Sequence, residues 1–412
     1  MRARLEIKSS YNGDLPPCLE FAMYEGKIVF AQIMDHLPRR QLDRCIDKYG
    51  GNHRIRRLSC RDQFLAMAFA QLTFRDGLRG IQETLAVRKQ CLYHMGFRCA
   101  AVPRSTLSDA NESRPWQIWA EFALALMLKA QKLYAGEKLA LDLDADLFAL
   151  DSTTIDLCLA RFPWAPFRQS KAAVKMHTLL NLRGQIPSFI VISDGKLHDV
   201  NILDTIIWIA GAYYVMDRGY IDFGRLYRIH QCQAFFVIRA KSNFRWTVVE
   251  SRLVDKTTGL RCDQIVRLES GPSRAAYPEY LRRVKYYDQE TGKRIVCLTN
   301  DFDLLTLTVS EIYRNRWQVE LFFKWVKQNL RIKEFYGYSD NAVRTQLWIA
   351  VSIYCLLAII RKELGGDREL GEIQEILSAI VFEKMPINEL FSRSKQKVDP
   401  PTGDKQLILP GF

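Results

Sequence analysis

"YRNRWQVELFFKWVKQNLRIK", residues 313–333, reads as an amphipathic helix with one anomaly. Arg314, Arg316, Lys324, Lys327, Arg331 and Lys333 make it strongly basic, yet a single carboxylate, Glu320, stands among them. On a helical wheel Tyr313, Arg316, Glu320 and Lys327 fall within about 60° of arc, with Lys324 and Arg331 on the same stripe. Val319, Phe322, Val326, Leu330 and Ile332 take the opposite face, so that face is expected to pack on a core. Upstream, Thr308-x-x-Glu311 has the spacing of a capping box and predicts a helix start at Thr308. The bland account of Glu320 is a surface ion pair with Arg316 or Lys324, worth about 0.2–0.5 kcal/mol each. The alternative needs partner carboxylates elsewhere in the chain.

Two candidates stand in apolar strand-like segments: Asp151 in "ALDSTTI" and Asp217 at the end of "YYVMD". A carboxylate there is costly unless paired or metal-bound. Taken singly, each also fits a strand-end cap or a local ion pair, and Arg218 beside Asp217 could supply one. Taken with Glu320 they fit another chemistry. A metal-dependent phosphodiester cutter needs clustered carboxylates, because Mg²⁺ is a hard ion that prefers oxygen, and a cationic surround to hold the phosphate backbone. His198 in "DGKLHDV", and Lys175 and His177 in "AVKMH", are further candidates for DNA contact near these acids. Asp142, Asp144 and Asp146 resemble a calcium loop but fail its pattern, with Leu147 and Thr153 where Gly and Glu are needed. They read as a solvated linker.

The segments around these residues change texture along the chain. Residues 1–22 have no convincing periodicity and read as disordered or as a non-native extension, with Met23 an alternative start. From Lys27 to about Ala135 apolar residues recur at helical spacing, as in "CRDQFLAMAFAQLTF" and "WQIWAEFALALMLKAQKLY". Between them "VPRSTLSDANESRPW" predicts a turn, Ser/Thr caps and a short helix, as in helix-turn-helix modules. Arg54, Arg56, Arg57 and Arg61 suit a solvated face or DNA equally. From 146 onward the pattern is strand-like. "DLFALDSTTIDLCL" opens it, and "VKMHTLLNLRGQIPSFIVIS" is a hairpin turning at Arg183-Gly184. "HDVNILDTIIWIA" has helical spacing with Asp199 as N-cap. "DFGRLYRIHQ" is a helix and "AFFVIRA" a strand. Residues 241–300 form an antiparallel β segment, basic on one side. The sum is a mixed-sheet α/β domain interrupted by a β insertion.

Bulk properties narrow the class. The 412 residues carry a formal charge of +13, which favours a polyanionic partner. No N-terminal apolar run serves as a signal peptide, and "LWIAVSIYCLLAII" (347–360) is shorter than a span, so it predicts a buried core helix and no membrane partner. Ten cysteines without a CxxC pair argue against a zinc site or disulfide framework and suit a reducing cytoplasm.

Tyr313-x2-Arg316-x3-Glu320-x6-Lys327 resembles the Tyr-Arg-Glu-Lys signature of bacterial insertion-sequence transposases of the insertion-sequence-four family. "ALDSTTI" and "VMDRGY" resemble the segments that bear the family's two catalytic aspartates, and the separation of 103 positions from Asp217 to Glu320 leaves room for its β insertion. The resemblance runs from about Met23 to the C-terminus. It implies a ribonuclease-H-like core (141–240 and 301–365), an inserted β subdomain (241–300), a helical DNA-end-binding domain (23–140) and a C-terminal helical region with a tail (366–412). It implies Asp151, Asp217 and Glu320 as ligands of Mg²⁺, for which Mn²⁺ would substitute. It further implies nicking at terminal inverted repeats, joining of the freed 3′-hydroxyls to target DNA, and a homodimeric synaptic complex in a bacterial cytoplasm. Tyr313, Arg316, Lys327, Trp317, Lys324, Arg331, Arg218 and His198 would contact DNA. Rival readings are another ribonuclease-H-like nuclease, or a DNA-binding repressor that has lost catalysis.

Overall fold

The computed structural model describes residues 26–139, 141–168, 171–288, 292–329 and 335–391. Residues 1–22 and Arg331 lie outside the described residues, as does the C-terminal tail from 392. The chain is α/β, with an N-terminal helical region leading into one large mixed sheet.

The helical region runs through α1 (Val29–Asp35), α2 (Arg39–Lys48), α3 (Cys60–Leu72), α4 (Leu78–Val87), α5 (Arg104–Ser113) and α6 (Gln117–Tyr134). Helix α3 begins with a full capping box from Ser59 and Asp62. The short helix expected within 102–116 is α5, but its N-cap is Pro103 without a side-chain bond, and Ser105 and Thr106 lie inside it.

Ten strands then hydrogen-bond into one sheet. Strands β1 (Leu147–Leu157), β3 (Lys171–Asn181) and β4 (Ile186–Asp194) form an antiparallel meander, with the short β2 (Pro166–Arg168) on the edge of β3. Strand β5 (Tyr213–Met216) pairs parallel to β1, and β6 (Phe235–Arg239) parallel to β5, across helix α7 (Phe223–Gln231). The expected antiparallel segment follows as β7 (Trp246–Arg252), β8 (Leu260–Leu268), a short α8 (Gly271–Ala276), β9 (Leu281–Asp288) and β10 (Lys293–Thr299). Strand β10 pairs with β6, so these strands continue the same sheet.

The hairpin turn between β3 and β4 lies where the sequence placed it. Gly184 has φ +72°, and a Cβ there would come within 2.0 Å of the ring of Tyr134. That ring is buried, with its hydroxyl donating to the Ala358 carbonyl at 2.9 Å. Gly184→Ala is therefore expected to destabilise the protein by more than about 1 kcal/mol, read from the urea midpoint at unchanged slope.

Helices α9 (Thr306–Asn315), α10 (Gln318–Asn329), α11 (Asp340–Glu363), α12 (Leu370–Ile380) and α13 (Ile387–Phe391) complete the described residues. Helix α11 carries the 347–360 run. It is long and apolar enough to cross a membrane, yet 94% of its apolar window is buried inside the protein, as expected for a core helix. Asn341 ties it to the helical region by donating to the carbonyls of Asn111 and Arg114 at 2.8 and 2.7 Å.

Three local expectations are corrected. The stretch 313–333 is not one helix: α9 ends at Asn315 and α10 begins at Gln318. Across the break the amides of Arg316, Val319 and Glu320 reach back three residues, to the carbonyls of Tyr313, Arg316 and Trp317, a tightened 3₁₀-like turn. No Gly or Pro marks this break; tertiary contacts made by Arg316 accompany it. The start also shifts. Helix α9 begins at Thr306 with Leu305 as N-cap, so Thr308 is buried inside the helix and no capping box forms. Lastly, "HDVNILDTIIWIA" yields only a 3₁₀ turn at Asp199–Asp204, with Ile207 88% exposed. His198, not Asp199, is the N-cap residue, because the Asp199 carboxylate is engaged by the sheet.

Candidate active site

Strand alternation sets the site. On β1, Leu147 and Ala149 pack into the core shared with α10 and α11, whereas Phe148 and Leu150 pack into a second core on the other face, with α7. Asp151 continues the first series and so faces α10. On β5, Tyr213 and Val215 belong to the first core, Tyr214 and Met216 to the second, and Asp217 follows Val215 onto the first face. Leu150 pairs with Met216 in the parallel ladder. The next residues, Asp151 and Asp217, thus stand side by side on strands about 4.8 Å apart, on one face of the sheet.

Glu320 reaches this face from α10. Arg316 bridges it to the sheet, with Nη1 on Asp151 Oδ2 and Nη2 on Glu320 Oε1, both at 2.7 Å. The ion pair expected at four-residue spacing is therefore present, but it continues into the sheet. Asp151 also accepts from the Ser152 amide at 2.8 Å. Burial raises the Asp151 carboxyl to about 6; Arg316 and the Ser152 amide oppose that rise, while the charges of Glu320 and Asp217 add to it. The Arg316 guanidinium is only 14% exposed; burial disfavours its charge, but Asp151 and Glu320 more than restore it and hold it well above its usual value. Asp217 Oδ1 is buried without a hydrogen-bond partner, and no Arg218 ion pair satisfies it among the described residues.

Asp151, Ser152, Thr153, Glu320, Phe323, Lys324, Lys327 and Gln328 line one open cleft of about 520 Å³. Lys324 is exposed at its rim, and Lys327 is half-buried. Tyr313 lies beneath, its ring centroid 5.9 Å from the Arg316 guanidinium. Burial lifts its hydroxyl to about 12, so it is neutral and can donate. Trp317, 51% exposed in the helix break, lines a separate cavity with Trp325 and Tyr354. Arg218 is exposed beside Asp217, and His198 is exposed in the loop after β4, not on a strand. Neither lines the acidic cleft.

A match to the Transposase DDE domain covers residues 142–356, which include all three acids. A Sinorhizobium fredii protein named as the transposase y4zB is 36% identical over 68% of this chain and 78% of its own length. The chain belongs to the DDE transposases of bacterial insertion sequences. Other relatives of this transposase agree. A protein of Geobacillus stearothermophilus, named as a transposase for the element IS5377, is 30% identical over 61% of this chain and 66% of its own. A Synechocystis relative, named for the element IS4SA, is 26% identical over 66% of this chain and 76% of its own; the insertion-sequence-four group fits. Residues 25–98 match a domain of unknown function. A piggyBac transposase solved in a synaptic complex with hairpin DNA covers 93% of this chain and 88% of its own, at a TM-score of 0.36 and 11% identity, a likeness too loose to add to the assignment.

Among the described residues no three His, Cys, Asp or Glu side chains already converge as a metal site. The donor set nonetheless suits a hard cation. Asp217 has an unused buried oxygen, and Asp151 and Glu320 already share a positive partner in Arg316. Direct reasoning on sequence missed the residues behind Asp151, namely Ser152, Asp199 and Tyr220. The one signal lies in polar side chains on the second face of the strands, Ser152 on β1 opposite Lys175 and His177 on β3, where packing predicts apolar ones; Asp199 and Tyr220 lie in turns and carry none.

Proposed function

We propose that this transposase binds the terminal inverted repeats of its element, cleaves the DNA at the ends and joins the 3′-hydroxyls to target DNA. The observation that carries the reading is Asp151 and Glu320, bridged by Arg316 on a cleft rimmed by lysines, with Asp217 following the neighbouring strand beside Asp151. The strand order β4-β3-β1-β5-β6, antiparallel then parallel, supports a ribonuclease-H-like core made of 141–240 and 301–365, into which 241–300 is inserted. Residues 23–140 would then grip the element end, with 366–412 following the core.

Asp151, Asp217 and Glu320 would hold Mg²⁺, or Mn²⁺ in its place. When bound, the metal supplies Lewis-acid stabilisation of the charge that develops on the phosphodiester. The chain's own groups do the rest. Lys324 and Lys327 hold phosphate at the cleft wall, and Tyr313 donates its hydroxyl from below. Arg316 orients both acids and would contact phosphate from the same stripe. Trp317 could support an unstacked base from its own cavity. Arg218 and His198 would serve as outlying DNA contacts, and Arg331 would be a further one. A homodimer follows from chemistry that must join two ends.

The test uses purified protein and a duplex bearing the element's terminal repeats. Nicking at the repeat boundary with Mg²⁺, absent with EDTA and absent on scrambled ends, is the expected result. Metal-independent or end-independent cutting would overturn it. Lys327→Ala is expected to weaken end binding and lower the slope of log K against log salt by about one, measured by fluorescence anisotropy.

A further inference from the structure

The geometry points to Asp199 as a positioning residue that braces Asp151 from the opposite face of the sheet, through Ser152. The inference rests on the reading of Asp151, Asp217 and Glu320 as one metal-dependent site.

Ser152 follows Asp151 on β1; it borders the cleft, but its hydroxyl points to the opposite face of the sheet. Its amide holds Asp151 Oδ1 at 2.8 Å, while its hydroxyl donates to Asp199 Oδ1 at 2.8 Å. One residue thus grips the acid on one face and is gripped on the other. Asp199 is fixed in turn by β3. Lys175 Nζ donates to Asp199 Oδ1 at 3.2 Å and to the Leu197 carbonyl at 3.0 Å. The β1–β3 register pairs Ser152 with His177 and Thr154 with Lys175, which brings both side chains to the same face. His177 is fully buried, 3.7 Å from Asp199 through Nδ1, and its Nε2 meets the Ser193 hydroxyl at 3.0 Å. Tyr220, buried just after Asp217, completes the wall behind both aspartates.

Such a cluster is expensive in an otherwise apolar layer. A strand closed by Val or Thr at these positions would fold without it. What the polar set adds is orientation. A carboxylate at the middle of a strand has a free χ2, and a wrong rotamer misdirects its oxygens. Tying the next residue's hydroxyl to an anchored carboxylate removes that freedom, as outer partners do for metal ligands elsewhere. The Lys175 charge offsets that of Asp199, so the brace adds no net charge behind the site.

The test measures Mn²⁺ binding by loss of the free-ion electron paramagnetic resonance signal, without DNA, for the full chain. Ser152→Ala cuts the brace while leaving the Asp199–Lys175 pair. It is expected to weaken Mn²⁺ binding about ten-fold or more at an unchanged unfolding midpoint, with Ser152→Thr restoring affinity to within about three-fold. Asp199→Asn combined with Lys175→Met removes the anchor without stranding a charge and should weaken binding alike. Asp217→Asn distinguishes the two levels. If it loses Mn²⁺ while Ser152→Ala binds as wild type, the brace is wrong and the site stands. If Asp217→Asn binds as wild type, the site is wrong and the brace falls with it.

Discussion

Asp217→Asn is expected to lower end cleavage by about a thousand-fold or more, equivalent to roughly 4 kcal/mol of lost transition-state stabilisation. The amide keeps the shape of the carboxylate but removes its charge, and among the described residues Asp217 Oδ1 has no hydrogen-bond partner whose loss would disturb the fold. The effect should therefore fall on the rate, with end binding retained within about two- to three-fold by anisotropy. Asp151→Asn should act alike, with an added loss because Arg316 would keep only Glu320 as partner. Cleavage within ten-fold of wild type in both variants would remove the pair from the chemistry. A pH signature accompanies the claim. Burial raises the Asp151 carboxyl to about 6, so protons compete with a cation for it from there downward. Mn²⁺ affinity should be flat above pH 7 and decline as pH falls through 6; an affinity independent of pH between 5 and 8 would contradict it.

The second large effect concerns stability. Arg282 and Asp263 are 2% and 1% exposed and joined by two bonds at 3.0 and 2.7 Å. Arg282 also donates to the Leu304 carbonyl at 2.6 Å, and Thr306, the first residue of α9, donates to Asp263 at 2.7 Å. The pair thus fastens β8 and β9 to the start of the helix that leads to Glu320. Removing one partner leaves a buried charge unpaired, so Arg282→Ala should cost about 3–5 kcal/mol in urea unfolding. Replacing both, with Met and Leu, should cost much less. Burial works against the Asp263 charge, yet Arg282 and Thr306 hold its carboxyl below the usual value. Its contribution is thus full at neutral pH and is lost only as pH falls through that lowered value. A cost under about 1 kcal/mol for Arg282→Ala would show that water reaches the pair.

These two cases also mark what the chain reveals unaided. The apolar runs before Asp151 and Asp217 mark both acids as strand-associated, but which face each takes comes only from the register between β1 and β5. The hairpin at Gly184 and the core helix at 347–360 were legible. The break between α9 and α10 was not, since "NRW" contains no breaker and the kink accompanies the bonds of Arg316 to residues far away in sequence. Asp199 was misread as a cap for the same reason: capping is a local rule, and the carboxylate is claimed by Ser152 and Lys175 across the sheet. Arg282 looked like one more cation on a basic strand, and only register shows that it points inward.

The most direct test of the central claim maps the cleft itself. Fe²⁺ bound in place of Mg²⁺, with ascorbate and peroxide, generates hydroxyl radicals that cut the nearest backbone. Fragments ending near residues 151, 217 and 320, suppressed by excess Mg²⁺ and absent in Asp217→Asn, are the predicted result. Cuts clustered elsewhere, or none that Mg²⁺ suppresses, would contradict a single metal site built from these three acids.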